Sequence, residues 1–471
     1  MPISEEELKK IVAEVVRNLA PRAEAAHAAS PGGPVFDTVD EAVAAAKKAQ
    51  PGFQDLGLAA REKIIAAMRE VSRANARRWA EMAVAETGMG RVEDKVVKNM
   101  VCIDRTPGVE DLRAVAYTGD KGLTLVEYAP FGVVAAITPS TNAVATIISN
   151  AIGILAAGNS VVFSPHPAAK GCVADAVRIL DKAIIAAGGP ANLVCTMGKP
   201  TQDVTKQLLS HPDTNMNIVT GGPAIVKVAM TSGKPCKTIA AGPGNPPVVV
   251  DETAVFPDCA REIIFGCGFD NNVLCIAEKE VIVVEAARAR FLEAMRSDPR
   301  AYELSRAQMD QLSKLAILEP GREPKVNRDF IGKNPSVIAR AIGLNLSDDV
   351  RVLWAEVPND HPFVLSEQLM PVLPVTFCRD VDSAIELARF AEGENHHSAG
   401  MYSTNIRNMT KMGRRMACSI FVKNGCTLNG LGLGEGYASM SIGTPTGDGI
   451  TKTSHFVRPL QCSVVGDFRI A

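Results

Sequence analysis

The chain has 471 residues, a formal charge of −2 at pH 7, and 46% hydrophobic against 22% charged residues. That length exceeds what one core usually fills and predicts two or three domains, and the near-neutral charge removes the global electrostatic reason to bind nucleic acid or an anionic membrane. The eleven cysteines are widely spaced and lack a Cys-x-x-Cys pair, and the seven histidines adjoin only at His396-His397, so a reducing, cytoplasmic setting and no metal site are expected. No apolar run is long enough to span a bilayer, and no cleavable secretory signal is read at the amino end.

Residues 4–19 read as a separate short helix. Ser4 and Glu7 form a capping box, and Leu8, Ile11, Val12, Val15, Val16 and Leu19 recur on one face. Pro21 to Pro34 is rich in alanine, proline and glycine and reads as a linker. So short a helix is marginal alone, so it docks either on its own globular body or in a groove of another protein. Its polar face mixes acids and bases, which disfavours a membrane surface.

The globular body starts near Val35. Thr38-Val-Asp-Glu41 predicts a helix cap, and Ala59–Val84 predicts one or two long helices. Leu123–Ile137 reads as two strands around Pro130 and Gly132, followed by Thr138-Pro-Ser-Thr-Asn142 and an apolar helix over Ala143–Ala157. Ser160–Ser164, Ala191–Cys195 and Asn215–Val219 read as short buried strands, with helices over Cys172–Ala187 and Gln202–Leu209. Strands alternating with helices predict a parallel sheet covered on both faces. Thr220-Gly-Gly-Pro223 feeds a helix over Ala224–Met230, a turn that either holds a phosphate or merely packs tightly. Ala240–Asn245 reads as a flexible turn at a domain joint.

A second α/β unit is expected from about 246 to the 430s. Its opening segment, Phe265-Gly-Cys-Gly-Phe-Asp-Asn-Asn-Val-Leu-Cys-Ile-Ala-Glu-Lys279, holds Cys267 and Cys275 around a turn of Asp270-Asn271-Asn272. A cysteine just past such a turn meets inward backbone N–H groups that favour a thiolate; the alternative is a buried, inert thiol. Strands follow at Glu280–Val284, Arg351–Ala355, after Val372 and at Ser419–Val422, with helices over Ala286–Met295, Leu304–Leu315, Val381–Ala391 and Met409–Met416. Glu367 stands beside the strand beginning at Val372, as a surface acid or as part of a site. Asn429–Thr444 reads as a glycine-rich loop, and Arg458–Val465 as a late strand that pairs across a subunit contact or folds back on its own chain.

In this order, the body from about 36 to 471 resembles the aldehyde dehydrogenase superfamily, and within it the CoA-acylating branch found in bacterial microcompartments. Phe269-Asp-Asn-Asn-Val-Leu-Cys-Ile-Ala-Glu-Lys279 carries the likeness most strongly. The resemblance implies a Rossmann-like cofactor domain over 36–245, with an oligomerisation hairpin near 120–136. It further implies a catalytic thiol domain over 246–435 and a return segment with an oligomerisation strand over 436–471. It makes Cys275 the nucleophile and Asn142 the side-chain donor of an oxyanion hole. Cofactor contacts are implied at Thr138, Pro139, Ser164, His166, Thr220, Gly221, Gly222 and Glu367.

NAD and coenzyme A are the implied cofactor and co-substrate, and a homodimer or homotetramer the implied assembly. Residues 1–20 resemble an encapsulation peptide, which implies a microcompartment shell or cargo protein as partner. Ala240 stands where hydrolytic relatives carry the acid that activates water, so the thioester is expected to wait for a thiol. Ser164 stands where those relatives have a lysine near the adenosine ribose, and no basic cluster suits a 2′-phosphate, so NAD is favoured over NADP. The resemblance leans toward propanal from 1,2-propanediol breakdown, with ethanal as the alternative. A hydrolytic aldehyde dehydrogenase, a glutamyl-phosphate-type reductase and a catalytically dead binding protein are the rival readings.

Overall fold

Short valine-rich runs with little polar interruption form parallel strands covered on both faces, and this chain builds two such sheets. The structure, a computed structural model, describes residues 33–321 and 324–468. The helix expected over 4–19, and the linker as far as residue 32, lie outside the described residues. The first sheet orders its parallel strands as Val35–Phe36, Val194–Met197, Ser160–Pro165, Val133–Thr138, Met216–Thr220 and Lys237–Ala241. From Val133–Thr138 the chain builds outward on one side and then returns to the other with Met216–Thr220. In such sheets ligands bind beyond the carboxyl ends of the strands, where the order reverses.

The side-chain alternation of a strand explains the two cores on this sheet. Val134 and Ala136 face a core shared with the helices Gly57–Thr87, Ala143–Ala156 and Lys170–Ala186, whereas Val133, Ala135 and Ile137 face the helices Val39–Asp55 and Gln202–Ser210. Every residue of Ala143–Ala156 is buried, which is why that segment is apolar all round. Thr38 accepts a bond from the Glu41 N–H at 3.4 Å and caps its helix as expected, and Ala59–Val84 belongs to one helix, Gly57–Thr87.

The second sheet is also parallel, in the order Ala301–Glu303, Val352–Glu356, Val372–Cys378, Glu280–Val284, Pro247–Val250, Ser398–Tyr402 and Ile420–Lys423. Val248, Val250, Val281 and Val283 pack on one side, and Val249, Ile282 and Val284 on the other. The first sheet ends at Ala241 and the second begins at Pro247. The five-residue joint 242–246 therefore sets the carboxyl ends of one sheet against the amino ends of the next. The turn expected over Ala240–Asn245 is corrected accordingly: Ala240 and Ala241 are strand residues in register with Val219 and Thr220.

A smaller antiparallel sheet completes the α/β fold. Val115–Gly119 and Gly122–Pro130 form a hairpin, and Val457–Val465 folds back on the same chain to pair with Gly122–Pro130 along its whole length. The loop read over Asn429–Thr444 is more ordered than expected. It begins inside a helical turn at Thr427–Leu431 and contains the short strand Ile442–Gly443, while Leu428, Leu431, Met440 and Ile442 pack into the core of the first sheet. Two further helices, Val92–Arg105 and Asp258–Gly268, were not anticipated.

Candidate active site

Cys275 lies in the loop between Asp258–Gly268 and the strand Glu280–Val284. Asp270, Asn271 and Asn272 all adopt left-handed backbone, with φ of 48°, 52° and 62°, a conformation that short polar side chains tolerate best. The turn chemistry read from these residues holds: Asn272 Nδ2 donates to the carbonyls of Cys267 and Glu278, each at 2.9 Å. Lys279, fully buried, reaches back and donates to the carbonyls of Asn272 and Leu274, each at 3.0 Å. The loop that presents Cys275 is thus tied at both ends.

The expected thiolate-favouring surroundings are not what this loop provides. Burial pushes the Cys275 thiol up to about 12, and the Glu367 carboxylate adds to the rise; Lys279, the Cys275 backbone N–H and Lys98 pull the other way without overcoming it. Attack therefore needs removal of a proton. Cys267 is fully buried, its thiol raised by burial and then by Glu278, and it remains a packed residue. All eleven cysteines are free.

Asn142 precedes the helix Ala143–Ala156, its backbone carbonyl accepting from Thr146 N–H at 2.9 Å and Thr146 Oγ1 at 2.7 Å. Its side chain is bonded to Lys98, whose field also reaches Cys275. Glu367 approaches from the segment before Val372–Cys378. Burial lifts its carboxyl to about 7 against the pull of Lys279 and of the Gly244 N–H. Its Oε1 has no partner among the described residues. Gln368 Nε2 donates to the Lys279 carbonyl at 3.1 Å, which ties the Glu367 segment to the cysteine loop.

Two residues at this junction escaped the sequence reading. Gly244, in the inter-sheet joint, sits so close to the loop that a Cβ there would lie 2.9 Å from the Cys275 carbonyl oxygen and 2.8 Å from His397 Cγ. His397 is buried, with Nδ1 sharing a hydrogen bond with Ser398 Oγ at 2.8 Å. Burial, then the Lys279 charge, lowers its imidazole to about 4, so it is neutral at physiological pH. The His396-His397 doublet was the only signal, and it carried no partner in sequence.

The remaining predicted residues line the carboxyl ends of the first sheet. Thr138 pairs in register with Pro165, and Thr220 with Ala241. Thr138 Oγ1 is buried without a partner among the described residues, and Pro139 follows it directly. Gly222 caps the helix Pro223–Met230 with open space where a Cβ would stand, while a Cβ on Gly221 would meet Ile225 at 2.7 Å. His166 is exposed, and its Nδ1 accepts from the Ala168 N–H at 3.2 Å. Two side chains are already engaged: Ser164 Oγ and Thr205 Oγ1 share a bond at 3.0 Å, and Thr220 Oγ1 and Ser441 Oγ share one at 2.7 Å. The open backbone at Gly222 and the free oxygens on Thr138 and Glu367 suit a dinucleotide laid across these strand ends.

Comparison with known proteins agrees with this geometry. The aldehyde dehydrogenase family matches residues 17–322. An acetylating acetaldehyde dehydrogenase, EutE of Salmonella typhimurium, is 46% identical over 471 residues, spanning 99% of this chain and 100% of its own. The structure of Rhodopseudomonas palustris propionaldehyde dehydrogenase, with bound CoA and an acylated cysteine, matches with a TM-score of 0.89 at 42% identity, over 92% of this chain and 98% of that one. A propionaldehyde dehydrogenase from the Clostridium phytofermentans fucose utilisation bacterial microcompartment matches with a TM-score of 0.90 at 40% identity, over 93% and 100%. The chain belongs to the aldehyde dehydrogenase family. Within it, this is an NAD-dependent, CoA-acylating enzyme.

Proposed function

We propose that the chain converts an unbranched aldehyde of two or three carbons, with NAD+ and CoA, into the corresponding acyl-CoA and NADH. The observation that carries this reading is an apolar cavity of about 10 Å³, lined by Val97, Val101, Phe269, Leu274, Leu428 and Met440 among others. Its lining residue Leu274 is the sequence neighbour of Cys275, and Cys275 packs against the core to which Phe269, Leu274, Leu428 and Met440 belong. Such a space takes about one water, so it favours a short tail, and each added methylene fills it further. Propanal and ethanal differ by one methylene, worth about 1–3 kcal/mol in a fitted pocket. Structural relatives named for propionaldehyde support propanal, and the relative named for acetaldehyde supports ethanal; 1,2-propanediol breakdown is the source proposed for the first and an ethanolamine-type route for the second. CoA-dependent NADH formation across ethanal, propanal and butanal tests the reading: kcat/KM is expected to fall at least about tenfold at butanal, and undiminished turnover of butanal would refute it.

In this reading Cys275, once deprotonated, attacks the aldehyde carbonyl, and the Asn142 amide with a backbone N–H holds the oxyanion. NAD+ supplies the hydride acceptor when bound along the strand ends, with Thr220, Gly221 and Gly222 at its phosphates. Thr138 and Pro139 border the same crevice, Ser164 and His166 its adenosine end, and Glu367 the ribose next to nicotinamide. The acyl group then rests on Cys275 as a thioester. Ala240, fully buried in its strand, has no carboxylate to activate water, so the thiol of CoA is the acceptor.

Exposed Tyr117, Leu460, Val464 and Val465 on the antiparallel sheet support a homodimer or homotetramer built through that element. Among the described residues no helix is long and apolar enough to cross a membrane. Residues 1–20 are proposed to deliver the enzyme to a bacterial microcompartment in the cytoplasm, through a shell or cargo protein. Fusing residues 1–20 to a fluorescent protein tests this: puncta are expected in cells that assemble shells, and diffuse signal would sink the idea.

A further inference from the structure

Three charged side chains not used in the mechanism above lie sealed between the helix Val92–Arg105 and the turn before Cys275. Lys95 and Lys98 are each 4% exposed and Asp270 is fully buried. The lysines stand three residues apart and so share one helix face. Asp270 Oδ2 accepts from Lys95 at 3.0 Å and from Lys98, and its Oδ1 accepts from the Arg91 N–H at 2.9 Å. One carboxylate therefore answers two ammonium groups. Excess buried charge is unfavourable, and a purely structural pair would need only one lysine.

The second lysine has another contact. Lys98 Nζ donates to Asn142 Oδ1 at 2.7 Å. An ammonium has donors only, so the amide oxygen has to face it and the amide NH2 has to turn away; one N–H of that group reaches Thr141 Oγ1 at 3.3 Å. The end of an asparagine side chain has a broad, roughly two-fold torsion. The Lys98 bond is what chooses between its two faces. Burial lowers Lys98 to about 8 while Asp270 opposes the fall, so it still holds its proton at neutral pH. The carbon stem of Lys98 also helps to line the apolar cavity at Leu274, the residue before Cys275, while its ammonium is held by Asp270 and Asn142.

We propose that Lys98 is a positioning residue, which turns the Asn142 amide so that its N–H side meets the carbonyl under attack and its oxygen does not. The proposal rests on Asn142 being the oxyanion donor. A flipped amide would set a partial negative charge against the forming oxyanion, so losing the bond to Lys98 removes much of what Asn142 contributes.

A cycle of K98M, N142A and the double variant tests it. K98M leaves Lys95 and Asp270 as a balanced pair. N142A is expected to lower kcat about 10²–10³-fold and K98M about 10–10²-fold, with KM for NAD+ and CoA unchanged. The double variant should match N142A within about threefold, because Lys98 then has nothing to orient. If N142A keeps the wild-type rate, the oxyanion reading itself fails. If N142A is slow but the two losses multiply, or K98M is as fast as wild type, the positioning role alone is overturned. K98A, which has no donor at all, takes the place of K98M in the same cycle if K98M does not fold.

Discussion

Gly244→Ala adds one methyl group at the tightest point between the inter-sheet joint and the cysteine loop. The new Cβ would stand 2.8 Å from His397 Cγ, 2.9 Å from His397 Nδ1 and 2.9 Å from the Cys275 carbonyl oxygen. Neither neighbour swings away easily. His397 is buried, its ring bonded to Ser398 and its N–H to Glu392 Oε1 at 2.8 Å, and the third atom is backbone. Opening the carbon contact to an unstrained ~3.5 Å requires about 0.7 Å of movement. Overpacking of this kind lowers stability by about 1–3 kcal/mol. A shift near 1 Å at a reacting group costs about 10²-fold in rate. CoA-dependent NADH formation, read beside thermal unfolding, should therefore show kcat/KM down about 10²-fold in a protein that still folds. Gly242→Ala is the internal control, since its Cβ meets only Pro445, at 3.3 and 3.9 Å, and activity should stay close to wild type. A Gly244→Ala enzyme as active and as stable as wild type would refute the packing argument.

Three further outcomes follow from the site. Cys275→Ala should abolish NADH formation; substantial residual activity would move the nucleophile elsewhere. Glu367→Gln removes a negative charge that disfavours the Cys275 thiolate, so the thiol pKa should fall and iodoacetamide should label Cys275 faster than in wild type. Because the Glu367 carboxyl titrates at about 7, that difference should be present at alkaline pH and vanish once Glu367 is protonated, and slower labelling at alkaline pH would contradict the assignment. Ala240→Glu places an acid at the end of the first sheet, where burial would raise its pKa toward that of a working base. NADH formation without CoA should then rise, and no gain in a variant that folds would count against the water-exclusion argument.

The parts of the molecule legible in the sequence are those written over short distances. Alternating apolar strands and helices announced two parallel sheets, because each element's periodicity is local. Cys275, Asn142 and Glu367 stood out because each sits in a short, distinctive run of residues. The helices Val92–Arg105 and Asp258–Gly268 went unread: their apolar residues are interspersed with charged or small ones, and Lys95 and Lys98 are buried on Asp270, a partner far away in the chain.

What the sequence by itself determined was the family likeness, and with it Cys275 as the candidate nucleophile and Ala240 as the position that lacks an acid. Only the tertiary structure decided how those groups are held. Lys98 meets Asp270 across 172 positions and Asn142 across 44, and Gly244, His397 and Cys275 converge from three separate segments. Contacts of that kind arise when two sheets are set end to end, and no local pattern of residues encodes them. The thiol shows the same division. Its neighbours along the chain suggested a thiolate, and burial beside Glu367 made it a neutral thiol that has to be deprotonated.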